Sequence, residues 1–417
     1  MTSSKTVPGR THDTARRWRV PPAPLAASSG PEGVAVLEEV PGSLGARLWR
    51  ALRLIATWAE IAPESRGWLA PEGRRPKAKT PTWYPIEIEP ALRTLDSLLD
   101  DPDGAERPAI SEAALAIAVW ARTEGFGRTA AEFGQVAAAA DPERPSHALA
   151  AARATRDLAD YARGEAWFQR AIGLARATGD WTVYIRGYLG YGKLLWARGN
   201  VPGARKHFER AHRRAARVGN RELQGMALHD LLVIESTRRR WEAAETYAAL
   251  AIDAYPAGSD DLPRLCYDIA YCWLRQGRHA ESATVLTRLL PIMEPRARPA
   301  VLGGLAHAAG GSADARTFEE ARSELVDWRA APGVAEAWLD IARGAMHLGR
   351  IDEARAAART SREIAAERSE HRIVFEAEAL EESCASLTKD VDVEEAAHHP
   401  DPAEHLAERV VRKLATV

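Results

Sequence analysis

Residues 338–354 read Trp338-Leu339-Asp340-Ile341-Ala342-Arg343-Gly344-Ala345-Met346-His347-Leu348-Gly349-Arg350-Ile351-Asp352-Glu353-Ala354. Apolar residues recur at helical spacing up to Leu348, Gly349 breaks the run, and a second helical segment follows. Ala342 and Ala354 stand 12 positions apart across that break, and Ala358 and Ser361 follow at 16 and 19. The same spacing appears at Ala152, Gly164, Phe168, Ala171 and at Gly192, Ala204, Phe208, Ala211. It continues at Leu232, Ala244, Ala248, Ala251 and at Ala270, Ser282, Leu286, Leu289. A looser copy is Ala309, Ala321, Leu325, Trp328, and a faint one is Ile117, Thr129, Phe133, Val136. From Ala152 onward the first members lie 40, 40, 38, 39 and 33 residues apart.

This spacing has a physical reason. Two antiparallel helices joined by a tight turn approach closely only where facing side chains are small. The first small residue sits on one helix, and the residue 12 positions later sits opposite it on the second. The large residue four positions further on lies on the same face, one turn along. The last member lets the next pair stack. Gly199, Gly277 and Gly349 fall in the turns, where a positive φ favours glycine. Gly310-Gly311-Ser312 interrupts the looser copy and predicts a kink there. No segment alternates at period two, so the class is all-α.

Outside the repeats the text changes. Residues 1–33, rich in Pro, Ser, Gly and Arg, read as a flexible tail. Residues 34–108 read as a helical capping region. Within it Leu48, Trp49, Leu52, Ile55 and Trp58 share one helical face, and residues 73–79 form a basic loop. The stretch Trp83 to Pro90 reads as extended, and a short helix follows over 91–100. Trp49, Trp58, Trp68 and Trp83 suit either a cap on the first repeat or a separate docking surface, with the cap preferred. The solenoid spans 109–387. Residues 388–417 are a linker and a C-terminal capping helix, with Leu406, Val410, Val411 and Leu414 at helical spacing.

The repeated pattern resembles the tetratricopeptide repeat over roughly residues 110 to 385. It is similar to the long-period bacterial form, with units near 40 residues rather than the usual 34 or so, which implies longer helices. The resemblance implies a right-handed α-α superhelix that binds protein or peptide in a groove lined by the first helix of each pair. Carried onto this sequence, that groove contains Arg153, Arg156, Arg186, Lys193, Trp196, His229, Arg264, Tyr267, Tyr271, Arg275 and Arg343. Arg153, Lys193, Tyr271 and Arg343 each follow a small position by one residue, which places them in one row. The list is basic and aromatic, the composition that anchors interfaces, and so points to an acidic ligand. Equally, solenoid faces carry scattered charge for solubility. The Asn/Lys clamp of chaperone-binding members is absent.

Composition narrows the function. With 56 Lys and Arg against 58 Asp and Glu, the formal charge of −2 gives no global pull toward nucleic acid or anionic membrane. No apolar run approaches the ~20 residues that span a bilayer, and residues 1–30 lack the apolar core of a signal peptide. Three cysteines, Cys266, Cys272 and Cys384, suit a reducing compartment. The reading is cytoplasmic, with an organellar transit peptide as the lesser alternative. No metal or cofactor site is expected. Cys266 and Cys272 lie about 120° apart on a helix, His398, His399 and His405 read as linker and helix surface, and His229-Asp230 has no nucleophile nearby. No phosphate loop occurs. The expected function is a non-enzymatic protein- or peptide-binding scaffold or adaptor. The alternative is the peptide-sensing arm of a bacterial signalling or transcription-regulation system.

Overall fold

The structure, a computed structural model, describes residues 20–23, 33–69, 85–329, 331–387 and 402–417. The expected basic loop 73–79, Trp83 and Tyr84, and the linker with His398 and His399 lie outside the described residues, as do the side chains of Trp68 and His405. Two compact units divide the chain, Met1–Ala204 and Arg205–Val417. All regular structure among the described residues is helical.

The first unit opens with α1 (Val34–Glu39), α2 (Gly42–Glu60) and α3 (Glu89–Asp100). Then come α4 (Arg107–Thr123) with α5 (Gly127–Ala140), α6 (Pro145–Asp157) with α7 (Tyr161–Thr178), α8 (Trp181–Ala197), and α9 (Val201–Val218), which holds the boundary between the units. Helices α1 and α2 pack on α5, and α3 on α4. Leu48, Leu52, Ile55 and Trp58 enter one core with Leu92, Leu95, Ile117 and Phe133. Phe126, at the N-cap of α5, has no capping side chain. Glu39 of α1 does the work instead, accepting from the amides of Arg128 and Thr129 at 3.0 and 2.7 Å. Burial opposes ionisation of Glu39, but these hydrogen bonds prevail and hold its carboxyl below the ordinary value.

Two expectations for this region are corrected. The tail is not free throughout, because Val20–Ala23 lies against α7, where Arg170 donates to the Pro21 carbonyl at 2.6 Å. Residues 86–88 form a turn rather than an extended strand, and Pro90 opens α3, where its missing amide costs nothing.

The second unit pairs α10 (Arg221–Thr237) with α11 (Trp241–Ala254), α12 (Leu262–Leu274) with α13 (His279–Leu289), α14 (Arg298–Gly311) with α15 (Ala315–Leu325), and α16 (Val334–His347) with α17 (Ile351–Glu367). Helices α18 (His371–Leu387) and α19 (Pro402–Leu414) follow. The repeat positions are interior, as the spacing requires: Ala270, Ser282, Ala342, Ala354, Ala358 and Ser361 are fully buried. Trp328 departs, since it lies in a 3-10 turn past the end of α15 and is half-buried.

The turn inside each pair holds one residue in the left-handed region. At Gly125, Gly199, Gly277 and Gly349 it is glycine; at Ala159, Arg239 and Ala313 it is not. The expected kink at Gly310-Gly311 does not form, because α14 runs unbroken to Gly311 and both glycines serve packing. A Cβ at Gly310 would stand 2.2 Å from the Gly344 carbonyl oxygen, and one at Gly303 would stand 2.5 Å from Ala337 Cα. Tertiary approach overrides the low helix propensity of glycine.

The sequence places the last helix as a cap on the end of the array. In the structure α19 lies instead on α13, with α11 and α12 beside it. Leu406, Ala407, Val410 and Leu414 join the main core of this unit, and Arg409 pairs with Asp253 at 2.7 Å.

Two outcomes are expected. Ala313→Gly should stabilise by about 0.5–1 kcal/mol, since relief of left-handed strain outweighs the entropy of glycine, and Gly349→Ala should destabilise by about 1 kcal/mol. Chemical denaturation measures both, and equal effects of the same sign would contradict the turn geometry. Val410→Asp should detach α19 and destabilise by roughly 2–4 kcal/mol, and unchanged protease resistance of residues 402–417 would show that the helix is not seated.

Candidate functional site

In the first unit α4, α6 and α8, the first helices of three successive pairs, lie side by side. They bring together three of the expected groove residues, Arg153, Arg156 and Arg186, and one that the spacing did not indicate, Arg122. Arg156 and Arg122 both hold Asp157, at 2.6 and 2.7 Å. Arg153 has no hydrogen bond or ion pair within 4 Å among the described residues. Burial pushes its guanidinium down to about 10, and the charges of Arg186, Arg122 and Arg156 push the same way. On α8, Lys193 lies seven residues beyond Arg186, which is nearly the same helical face, and Trp196 follows half-buried.

In the second unit two of the expected residues, His229 and Arg343, meet carboxylates. His229 Nε2 stands 2.6 Å from Asp268 Oδ2. Arg275 donates to the Ser236 carbonyl at 3.2 Å and lies 5.8 Å from the Trp241 ring centre, while Arg264 is exposed. Tyr267 and Tyr271 stack, with ring centres 5.9 Å apart. Burial, then Asp340, raises the Tyr267 phenol well above its usual value, and Asp340, then burial, raises Tyr271. Arg343 binds Asp340 at 2.7 Å and Glu376 at 2.9 Å, and these carboxylates outweigh burial to raise its pKa. A basic list in sequence thus becomes a compensated network of tyrosines, carboxylates and arginine. Arg153 and Lys193 belong to the first unit, Tyr271 and Arg343 to the second.

One cluster carries no signal in the sequence. His279, the first residue of α13, His307 of α14 and His347, the last residue of α16, each aim a ring nitrogen into one space, and these atoms lie within 4.8 Å of one another. No short ligand spacing joins them, because each comes from a different helix. The ring centres are 4.8 to 5.7 Å apart. Burial and the other two imidazoles push His279 down to about 4. The three cysteines are buried and unpaired, and Cys266 and Cys272 form no cluster of this kind.

No family model and no curated protein matches the chain. Among solved structures, the apo form of RapI is similar over 62% of this chain and 99% of that chain, with 11% identity and a TM-score of 0.50. Yeast Tom70 is similar over 80% of this chain and 69% of that one, with 15% identity and a TM-score of 0.42. A Podosopora anserina kinesin light chain with nearly identical TPR-like repeats is similar over 45% and 96%, with 13% identity and a TM-score of 0.38. At such identities the likeness to RapI establishes the fold alone, a tetratricopeptide-type helical solenoid.

Arg153→Met tests the arginine cluster without any ligand. It removes a half-buried charge set among three like charges and keeps the apolar stem. The expected outcome is a gain of roughly 1–3 kcal/mol in stability, read as a higher Tm; a lower Tm would show that Arg153 is compensated within the fold.

Proposed function

We propose that this chain is a protein- or peptide-binding scaffold or adaptor, and that the α4, α6 and α8 face of the first unit grips an acidic group of its ligand. The observation that supports this is Arg153, a half-buried guanidinium with no hydrogen bond or ion pair among the described residues, set among three more arginines with Asp157 as the opposing charge. Such a group has hydrogen-bond donors to spare for an arriving anion. A carboxylate would form charge-assisted, bidentate hydrogen bonds there and relieve the mutual repulsion. Lys193 and Trp196 stand further along α8, where they would add charge and apolar anchorage.

Recognition rather than reaction fits this face, which offers no nucleophile beside a base among the described residues. The balanced total charge makes the attraction local, so an acidic peptide suits it better than a nucleic-acid backbone. A cytoplasmic location belongs to the same proposal and agrees with three buried, unpaired cysteines.

The test is fluorescence anisotropy with a labelled Glu/Asp-rich peptide bearing a free C-terminal carboxylate, beside neutral and Lys-rich peptides of equal length. The acidic peptide should bind best and weaken as salt rises past about 0.15 M, where the screening length is ~8 Å. Arg153→Glu with Arg186→Glu should weaken it by roughly 10- to 100-fold. Equal binding of all three peptides, or full affinity in the double variant, would remove the arginine face from consideration.

A further inference from the structure

We propose that His279, His307 and His347 form a binding site for a first-row divalent cation of the zinc class. Their ligand atoms already lie within 4.8 Å of one another. Around a tetrahedral zinc with Zn–N of about 2.0–2.1 Å the nitrogens are ~3.4 Å apart. The remaining closure is about 1.4 Å, within reach of small rotations of three imidazole rings.

The surroundings are built for these rings. A Cβ at Gly311 would fall 2.2 Å from His279 Cγ, so the ring occupies space that only glycine leaves open. Gly310 and Gly344 let α14 and α16 close to a distance that no side chain would permit, bringing His307 and His347 to the same point. Behind His307, the buried Asp340 carboxylate lies 3.5 Å from Nδ1. Carboxylates in that position orient a ligating histidine and make it more basic. The ordinary explanation, packed histidines with satisfied hydrogen bonds, does not fit His279, whose Nδ1 is buried without a hydrogen-bond partner, while His307 Nδ1 has the Asp340 carboxylate as its partner.

The chemistry selects the ion. Three neutral imidazoles suit zinc and its neighbours in the first row, while magnesium and calcium require oxygen ligands. Exposed His347 gives the ion a way in. Three protein ligands leave a fourth position for water or a donor from a bound partner. Because the ligands come from helices of three successive pairs, occupancy would tie those pairs together.

Isothermal titration of the untagged full chain with Zn²⁺ should show one ion per chain, with Mg²⁺ and Ca²⁺ silent. Co²⁺ should give the intense visible absorption of a tetrahedral site. Binding of Zn²⁺ at saturation should raise Tm by several degrees. His347→Ala and His279→Ala should each weaken Zn²⁺ by more than ~100-fold and abolish the cobalt band, while His398→Ala with His399→Ala changes neither. His347 is exposed, so His347→Ala should keep the fold even where a change at His279 does not. Absence of stoichiometric Zn²⁺, retention of tight binding in His347→Ala, or loss of binding only in the His398/His399 variant would overturn the assignment.

Discussion

Close approach of helix backbones is the constraint on which this structure depends. Where α14 meets α16, a Cβ at Gly303 would stand 2.5 Å from Ala337 Cα, and one at Gly344 would stand 2.5 Å from the Ala306 carbonyl oxygen. In the first unit, a Cβ at Gly134 would stand 3.1 Å from Ala151 Cα. A repeat array buries its apolar faces only by stacking, so side-chain size at these few positions sets the distance between pairs. The same constraint creates chemistry. The space that glycine leaves at position 311 is taken by the His279 ring, and the tight α14–α16 approach carries two further imidazoles toward it.

The helical pairs were legible because their signal is local and recurrent. Small residues 12 apart, a left-handed turn, and in most copies a large residue four further on mark the pairs without any tertiary knowledge. Even the faint copy at Ile117 and Phe133 corresponds to α4 and α5, with both residues buried. What could not be read has a non-local cause. Gly310 and Gly311 look like helix breakers alone and become packing residues only when α16 and His279 arrive. Glu39 caps α5 from nearly 90 residues away. The amphipathic face of α19 is plain in sequence, but nothing in it says that α13, far back along the chain, supplies the partner surface.

Candidate site residues were legible in part, for an electrostatic reason. Family spacing placed Arg153, Arg156 and Arg186 on first helices, and folding brings these three together. Counting cations along one strip of helix, however, ignores the carboxylates that neighbouring helices supply. Arg343 meets Asp340 and Glu376, and His229 meets Asp268. Asp340 lies three residues before Arg343 on the same helix, while Glu376 and Asp268 come from the next first helix, 33 and 39 residues on, where no local spacing reveals them. Arg122 went unread because its pair carries the weakest copy of the repeat.

Two of the expected groove arginines, Arg153 and Arg343, are therefore held in opposite ways. A buried ion that is paired and hydrogen-bonded is satisfied within the fold and gains little from a visitor. Arg343 is in that condition, and so are its carboxylates. Arg153 is the reverse case: partial burial and the charges of Arg186, Arg122 and Arg156 lower its pKa against the opposing pull of Asp157, and within 4 Å no described carboxylate pairs with it. A fold that keeps such a group forgoes stability that an apolar residue of the same length would supply. In the proposed function, an anionic ligand would supply the partner that Arg153 lacks. Unpaired charge held by rigid helices is preorganised for recognition, since no internal ion pair must break before the ligand is bound.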